Sequence, residues 1–325
     1  MLALVLILAV AQPDVSVNLA EREVVVTARG VTIPAGTHYG HHALETYLPF
    51  RWPVRCWARG YRLEMLDASG RELSRELLHH AGVANLDRRQ LAYPAVERLI
   101  GIGRETRPVA LPASMGVPME PDQQLVFYYA LVNPTPQPIE DVTLRLNIQI
   151  MPDRADGPTD VLPVFFDANP KPPSGTRSFD VPAGVSVTSA EFTLPVGGWL
   201  RAAGGHLHDH AVEIRLEDVA SGKRLARLTT RREPDGRLIA VSSNRFVFRR
   251  RGLRLEAGRR YRVVAVYDNP TGETIADGAM AFIAGPFLPD DRKRWPAVDR
   301  LEAPFEADRA ALLGEAPAAA HAQHH

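Results

Sequence analysis

The sequence predicts an all-β protein, and three observations carry that prediction. Glycine (24) and proline (27) punctuate the 325 residues at short intervals. Between them lie β-branched runs with period-two alternation or short continuous apolar character, such as "REVVVTARGVTI", "DQQLVFYYALVN", "DVTLRLNIQI", "AVEIRLEDV" and "YRVVAVYDN". Helical periodicity is scarce outside "DRRQLAYPAVERLI", which Pro94 interrupts, and the segment after Arg294.

Taken in order, the chain opens on "MLALVLILAVAQPD", where residues 2–11 form an apolar run too short to span a bilayer. It closes on Ala9-Val10-Ala11, an A-x-A pattern, so residues 1–11 read as a signal peptide and the mature protein as secreted or periplasmic. No Lys or Arg precedes the run, and a buried first strand is the competing reading. No membrane association is expected beyond that segment. Cys56, the only cysteine, excludes an internal disulfide. Flanked by Trp52 and Trp57, it reads as a small buried apolar residue rather than a nucleophile. Acidic and basic residues balance at 38 each, which excludes the basic face that nucleic acid requires.

Two stretches repeat one plan. "LVFYYALVNPTPQPIEDVTLRLNIQI" (125–150) and "YRVVAVYDNPTGETIADGAMAFIAG" (261–285) each run strand, Asn-Pro-Thr turn, strand, and read as a pair of hairpins. Asn133 and Asn269 bond their own backbone while the following proline fixes φ. A histidine cluster precedes each: His79-His80 the first, His206, His208 and His210 the second. Two related antiparallel β-sandwich lobes account for this order, the first over 12–172 and the second over 173–288. The Pro/Gly/Asp-rich stretch 152–178 serves as crossover, and 289–325 is a charged, Ala-rich, partly helical or disordered tail.

On a strand, residues two apart share a face, with Cβ atoms roughly 6.5–7 Å apart. Two imidazoles at that spacing converge on one ion, each at about 2 Å from metal to nitrogen. His206 and His208 in "GGHLHDH" therefore pair, while His210 is too distant and becomes a bystander. Taken alone, two polar histidines on an exposed strand is the simpler reading. His79 and His80 are strand neighbours and face opposite sides unless the strand bulges.

The ordered set "LEMLDASGRELSRELLHHAGV", "GIGRETRPVALPASMGVPMEPDQQLVFYYALVNPT", "GGWLRAAGGHLHDHAVEIRLED" and "VYDNPTGETIADGAMAF" resembles the copper type II, ascorbate-dependent monooxygenase superfamily. That superfamily includes peptidylglycine α-hydroxylating monooxygenase, and the likeness extends in particular to the stress up-regulated Nod family. It covers roughly residues 58–285. The resemblance implies two jelly-roll-like lobes, each with one copper, and ascorbate as reductant. It implies that His206, His208 and Met280 hold the oxygen-activating copper for hydroxylation of a C–H bond, and that His79 and His80 hold the electron-relay copper. A set of two imidazoles and a thioether suits Cu(I) better than zinc. The third relay histidine is missing: its place falls on Tyr128, and no histidine lies between His80 and His206. His38, His41 and His42 are substitute candidates, and the terminal "HAQHH" has no specific role.

There is no Walker loop, G-x-S-x-G, H-E-x-x-H or C-x-x-C. The charged "GRETR" (103–107) reads as an Arg–Glu brace between loops. Two further functions share the fold: a non-catalytic secreted binding or structural module, and a single-site Cu(I) storage or transfer protein. A small-molecule or peptide substrate is expected for the oxygenase, with no feature that names it.

Overall fold

The computed structural model describes residues 12–37, 45–170, 177–246 and 252–315. The expected signal peptide, His38, His41, His42 and the terminal histidines lie outside the described residues. As the alternation predicts, strands dominate, and among the described residues there is one α-helix, Ala303–Leu312. No helix of the described residues is long and apolar enough to cross a membrane.

Two sandwiches form. In the first, a sheet ordered Asp14–Asn18, Glu23–Ile33, Ile139–Pro152, Cys56–Leu66, Met115–Met119, Thr159–Asp160 covers a second sheet ordered Glu45–Arg51, Gln124–Leu131, Leu78–Arg89, Val96–Gly103. Val24, Val26, Leu63, Leu144, Leu146 and Ile148 of one sheet meet Val83, Ile100, Leu125 and Phe127 of the other. These are the alternate positions that face inward when successive side chains point to opposite faces. Pairing is antiparallel except where Met115–Met119 meets Thr159–Asp160. Cys56 sits buried in this core, and burial pushes its thiol up to about 12.

The second sandwich sets a sheet ordered Gly184–Thr193, Arg260–Asn269, Ala211–Asp218, Lys223–Arg232, Leu238–Val241 against one built on Ala281–Pro289. Ala281–Pro289 pairs with Ala202–Leu207, Gly198–Leu200 and Leu162–Asp167. The crossing between lobes therefore comes earlier than the expected division at 172/173. Val161 belongs to the first core, whereas Val164 and Phe166 belong to the second. The apolar run Leu162–Phe166 inside a Pro/Asp-rich stretch is a strand buried on both faces, which composition alone conceals.

The two Asn-Pro-Thr segments are superimposable in their bonding. Asn133 Nδ2 donates to the carbonyls of Ile33 (3.4 Å) and Gln137 (2.8 Å), and its Oδ1 accepts from Thr135 N (3.1 Å) and Oγ1 (2.7 Å). Asn269 does the same with Val181 (3.0 Å), Glu273 (2.8 Å) and Thr271 (3.1 and 2.7 Å). They are not hairpins, however. Gln124–Leu131 and Ile139–Pro152 lie in opposite sheets, as do Arg260–Asn269 and Ala281–Pro289. Each segment is an arch that carries the chain over the end of its sandwich.

Nor are residues 289–315 an appendage. Phe305 and Leu312 of the helix are buried with Ala84, Leu86, Val96 and Val126 of the first lobe. Asp308 accepts from Arg98 Nη1 (2.9 Å), Arg98 Nη2 (2.7 Å) and Val96 N (2.9 Å). On the way, Trp295 packs on the second core and donates from Nε1 to the Arg89 carbonyl (2.9 Å).

Candidate metal centre

The Leu78–Arg89 strand carries His79 and His80. Its pairing to Gln124–Leu131 slips by one residue, from Leu78 opposite Leu131 to His80 opposite Ala130. His79 is the extra residue of that bulge, so neighbours that would otherwise diverge have ring centroids 4.9 Å apart. On the second lobe, the Ala202–Leu207 strand pairs His206 with Phe282 and Leu207 with Ala281. His208 follows at the strand's end, its ring 5.1 Å from that of His206. Continuing the register sets Met280 beside His208 along the main chain. The Met280 carbonyl accepts from Tyr267 Oη at 2.8 Å.

The lobes meet here. Val96–Gly103 lies over the second lobe so closely that a Cβ on Gly101 would stand 3.4–3.5 Å from the rings of Phe282 and Phe165. Across this seam the His79 and His208 rings are 5.0 Å apart. The two histidine pairs, expected as separate sites in separate lobes, thus form one row of rings: His80, His79, His208, His206.

Acceptors fix three of the four rings. The His206 Nδ1–H donates to Glu105 Oε1 (2.8 Å), His208 Nδ1–H to the Gly278 carbonyl (3.2 Å), and His80 Nε2–H to Glu45 Oε1 (2.6 Å). The opposite nitrogens, His206 Nε2, His208 Nε2 and His80 Nδ1, are buried without a hydrogen-bond partner. Metal-ligating imidazoles are oriented in this way, one nitrogen held by a carboxylate or carbonyl and the other presenting its lone pair. Burial, then the neighbouring His80, His206 and Arg104, lowers the His79 ring to about 3. Burial and the other three histidines hold His208 well below the usual range. Both are therefore neutral at neutral pH, the form that binds metal. At Glu45, burial raises the carboxyl, but the hydrogen bond from His80, with the Arg98 and Arg177 guanidinium charges, outweighs it and the net direction is down.

The donor set and ring spacing fit a metal ion. With a metal–nitrogen distance of about 2.0 Å, two imidazoles at a tetrahedral angle have centroids about 5 Å apart. Among the described residues, no group of three or more His, Cys, Asp or Glu side chains is placed so as to hold a metal ion, and the fit is one of pairwise ring spacings and unpartnered nitrogens.

Other expectations resolve individually. His210 stands apart in a left-handed turn (φ 66°), its ring against Gly236. Tyr128 does lie beside His80, ring centroids 6.3 Å apart, but burial raises its phenol and its hydroxyl sits against Gly82. The "GRETR" brace spans the lobes rather than two loops: Arg104 pairs with Asp209 and Glu76, and Glu105 takes His206. Motif reading did not find Glu105 and Glu45 as the partners of His206 and His80. The only signal for Glu105 was a charged residue amid apolar neighbours, and Glu45 gave none.

No family model matches the chain, and no curated protein matches it. Among solved structures it is similar to a chain of the atomic structure of Sulfolobus Turreted Icosahedral Virus, at 12% identity and TM-score 0.37, covering 90% of this chain and 96% of that one. A structure of PNGF-II is similar at 11% identity and TM-score 0.33, covering 79% and 66% respectively. Likeness at that level carries no argument about chemistry.

Proposed function

We propose that this chain is an exported copper-binding protein whose metal is taken by His206 and His208, with Met280 as the thioether donor. One observation carries the reading: both rings have one nitrogen held by an acceptor and the other buried without a partner. An orphaned buried acceptor costs about 1–3 kcal/mol, and an ion removes that cost. Two imidazoles with a thioether favour copper. Export rests on the leader-like residues 1–11.

When bound, copper supplies one-electron chemistry and, with ascorbate as reductant, activation of O2 toward a C–H bond of a small-molecule or peptide substrate. The chain's part is positional. Glu105 fixes the tautomer of His206, the Gly278 carbonyl fixes that of His208, and Phe282 packs its ring 5.3 Å from that of His206. A second reading, single-site copper storage or transfer, is favoured by the contact between His79 and His208, since a separate relay centre is then missing.

The test is copper content after loading, followed by ascorbate-driven oxygen consumption by the wild type and by His208→Ala. Copper uptake with consumption lost in the variant supports the oxygenase. Uptake with no consumption, or equal consumption in both, leaves the carrier. No uptake by the wild type refutes the copper reading.

A further inference from the structure

We infer that the two histidine pairs hold a single ion jointly, at the seam between the lobes, rather than one ion each. This rests on the metal reading above and deepens it. His208 is the pivot: its ring lies 5.1 Å from His206 on its own lobe and 5.0 Å from His79 on the other. Both spacings match two imidazoles on one tetrahedral ion, about 5 Å between centroids. Two ions placed side by side in that row would each need ligands that the other already uses, and two cations a few ångströms apart in a buried seam repel strongly.

Each lobe prepares its share. The bulge at His79 turns that ring toward the seam, and the Glu105 carboxylate that holds His206 comes from the first lobe although His206 belongs to the second. The residue before it, Arg104, pairs across the same seam with Asp209. The ion therefore takes His79 in addition to His206, His208 and the Met280 thioether proposed above, with His80 next in the row and turned by Glu45. It acts as a clasp: both lobes must be docked for the site to exist, and binding in turn stabilises the docked arrangement.

The experiment is anaerobic titration of the full chain with Cu(I) against a chromophoric chelator. The variants are His79→Gln/His80→Gln, His206→Gln/His208→Gln and, as a control, His210→Gln. One copper per wild-type chain is expected, with affinity falling at least about 100-fold in either double variant and unchanged in the control. Two coppers per wild-type chain, or one kept at undiminished affinity by either double variant, overturns the shared site while leaving copper binding intact. No copper in the wild type refutes the metal reading itself. A count on the unaltered chain guards against variants that misfold: nitrogen hyperfine structure of the Cu(II)-loaded protein should show at least three imidazoles. Two would overturn the inference.

Discussion

Glu105 illustrates what one side chain does at this site. Its carboxylate is almost wholly buried, and its Oε1 meets the ring it orients. Glu105→Ala should therefore lower metal affinity by about 10–100-fold without removing any ligand, and Glu105→Gln, which still accepts, by less. Competition titration reads both. The spacing of His206 and His208 made their shared face legible in the sequence, whereas for His79 and His80 it predicted opposite faces and only the family resemblance singled both pairs out. The carboxylates were not legible, since Glu45 lies 35 residues from His80 and Glu105 lies 101 from His206, and no local pattern encodes contacts of that range.

The elements were largely legible, their connections less so. Alternation identified the strands of both cores, but the Asn-Pro-Thr segments read as hairpins because a strand–turn–strand pattern does not say whether the second strand stays in the sheet. What decides is the asparagine, which is wholly buried and bonds a third strand's end, Ile33 in one lobe and Val181 in the other. Asn133→Ala and Asn269→Ala should each destabilise by about 2–4 kcal/mol, since each leaves several buried partners unsatisfied. Urea unfolding measures it. Helical character was expected for the segment after Arg294, but its docking was hidden by the Ala-rich, charged composition, which reads as a tail until Asp308 meets Arg98. Asp308→Ala strands that buried guanidinium and should cost about 3–5 kcal/mol, and replacing both partners by apolar residues should cost less.

For the molecule as a whole, the neutral histidines set a dependence on pH. His79 sits at about 3 when folded, against its usual 6.5. The unfolded chain therefore takes up a proton that the folded one refuses. Stability from this group is complete above about pH 6.5 and is lost as pH falls toward 3. Glu97, raised by burial to about 7, and Asp167, raised by burial to about 6, act in the opposite sense, because the folded state keeps their protons longer as pH rises. Metal-free His79→Gln should thus gain stability relative to the wild type as pH drops from 7 to 4, seen as a converging or crossing urea midpoint. A constant difference would show that His79 is not held neutral by the fold.

The polypeptide passes from the first lobe to the second at residues 161–162 and comes back through Trp295 to dock Phe305 on the first. The helix is thus a second tie between the lobes, beside the seam at which the histidines meet. Loosening it with Phe305→Ala should shorten the dwell time of captured copper in a chelator chase.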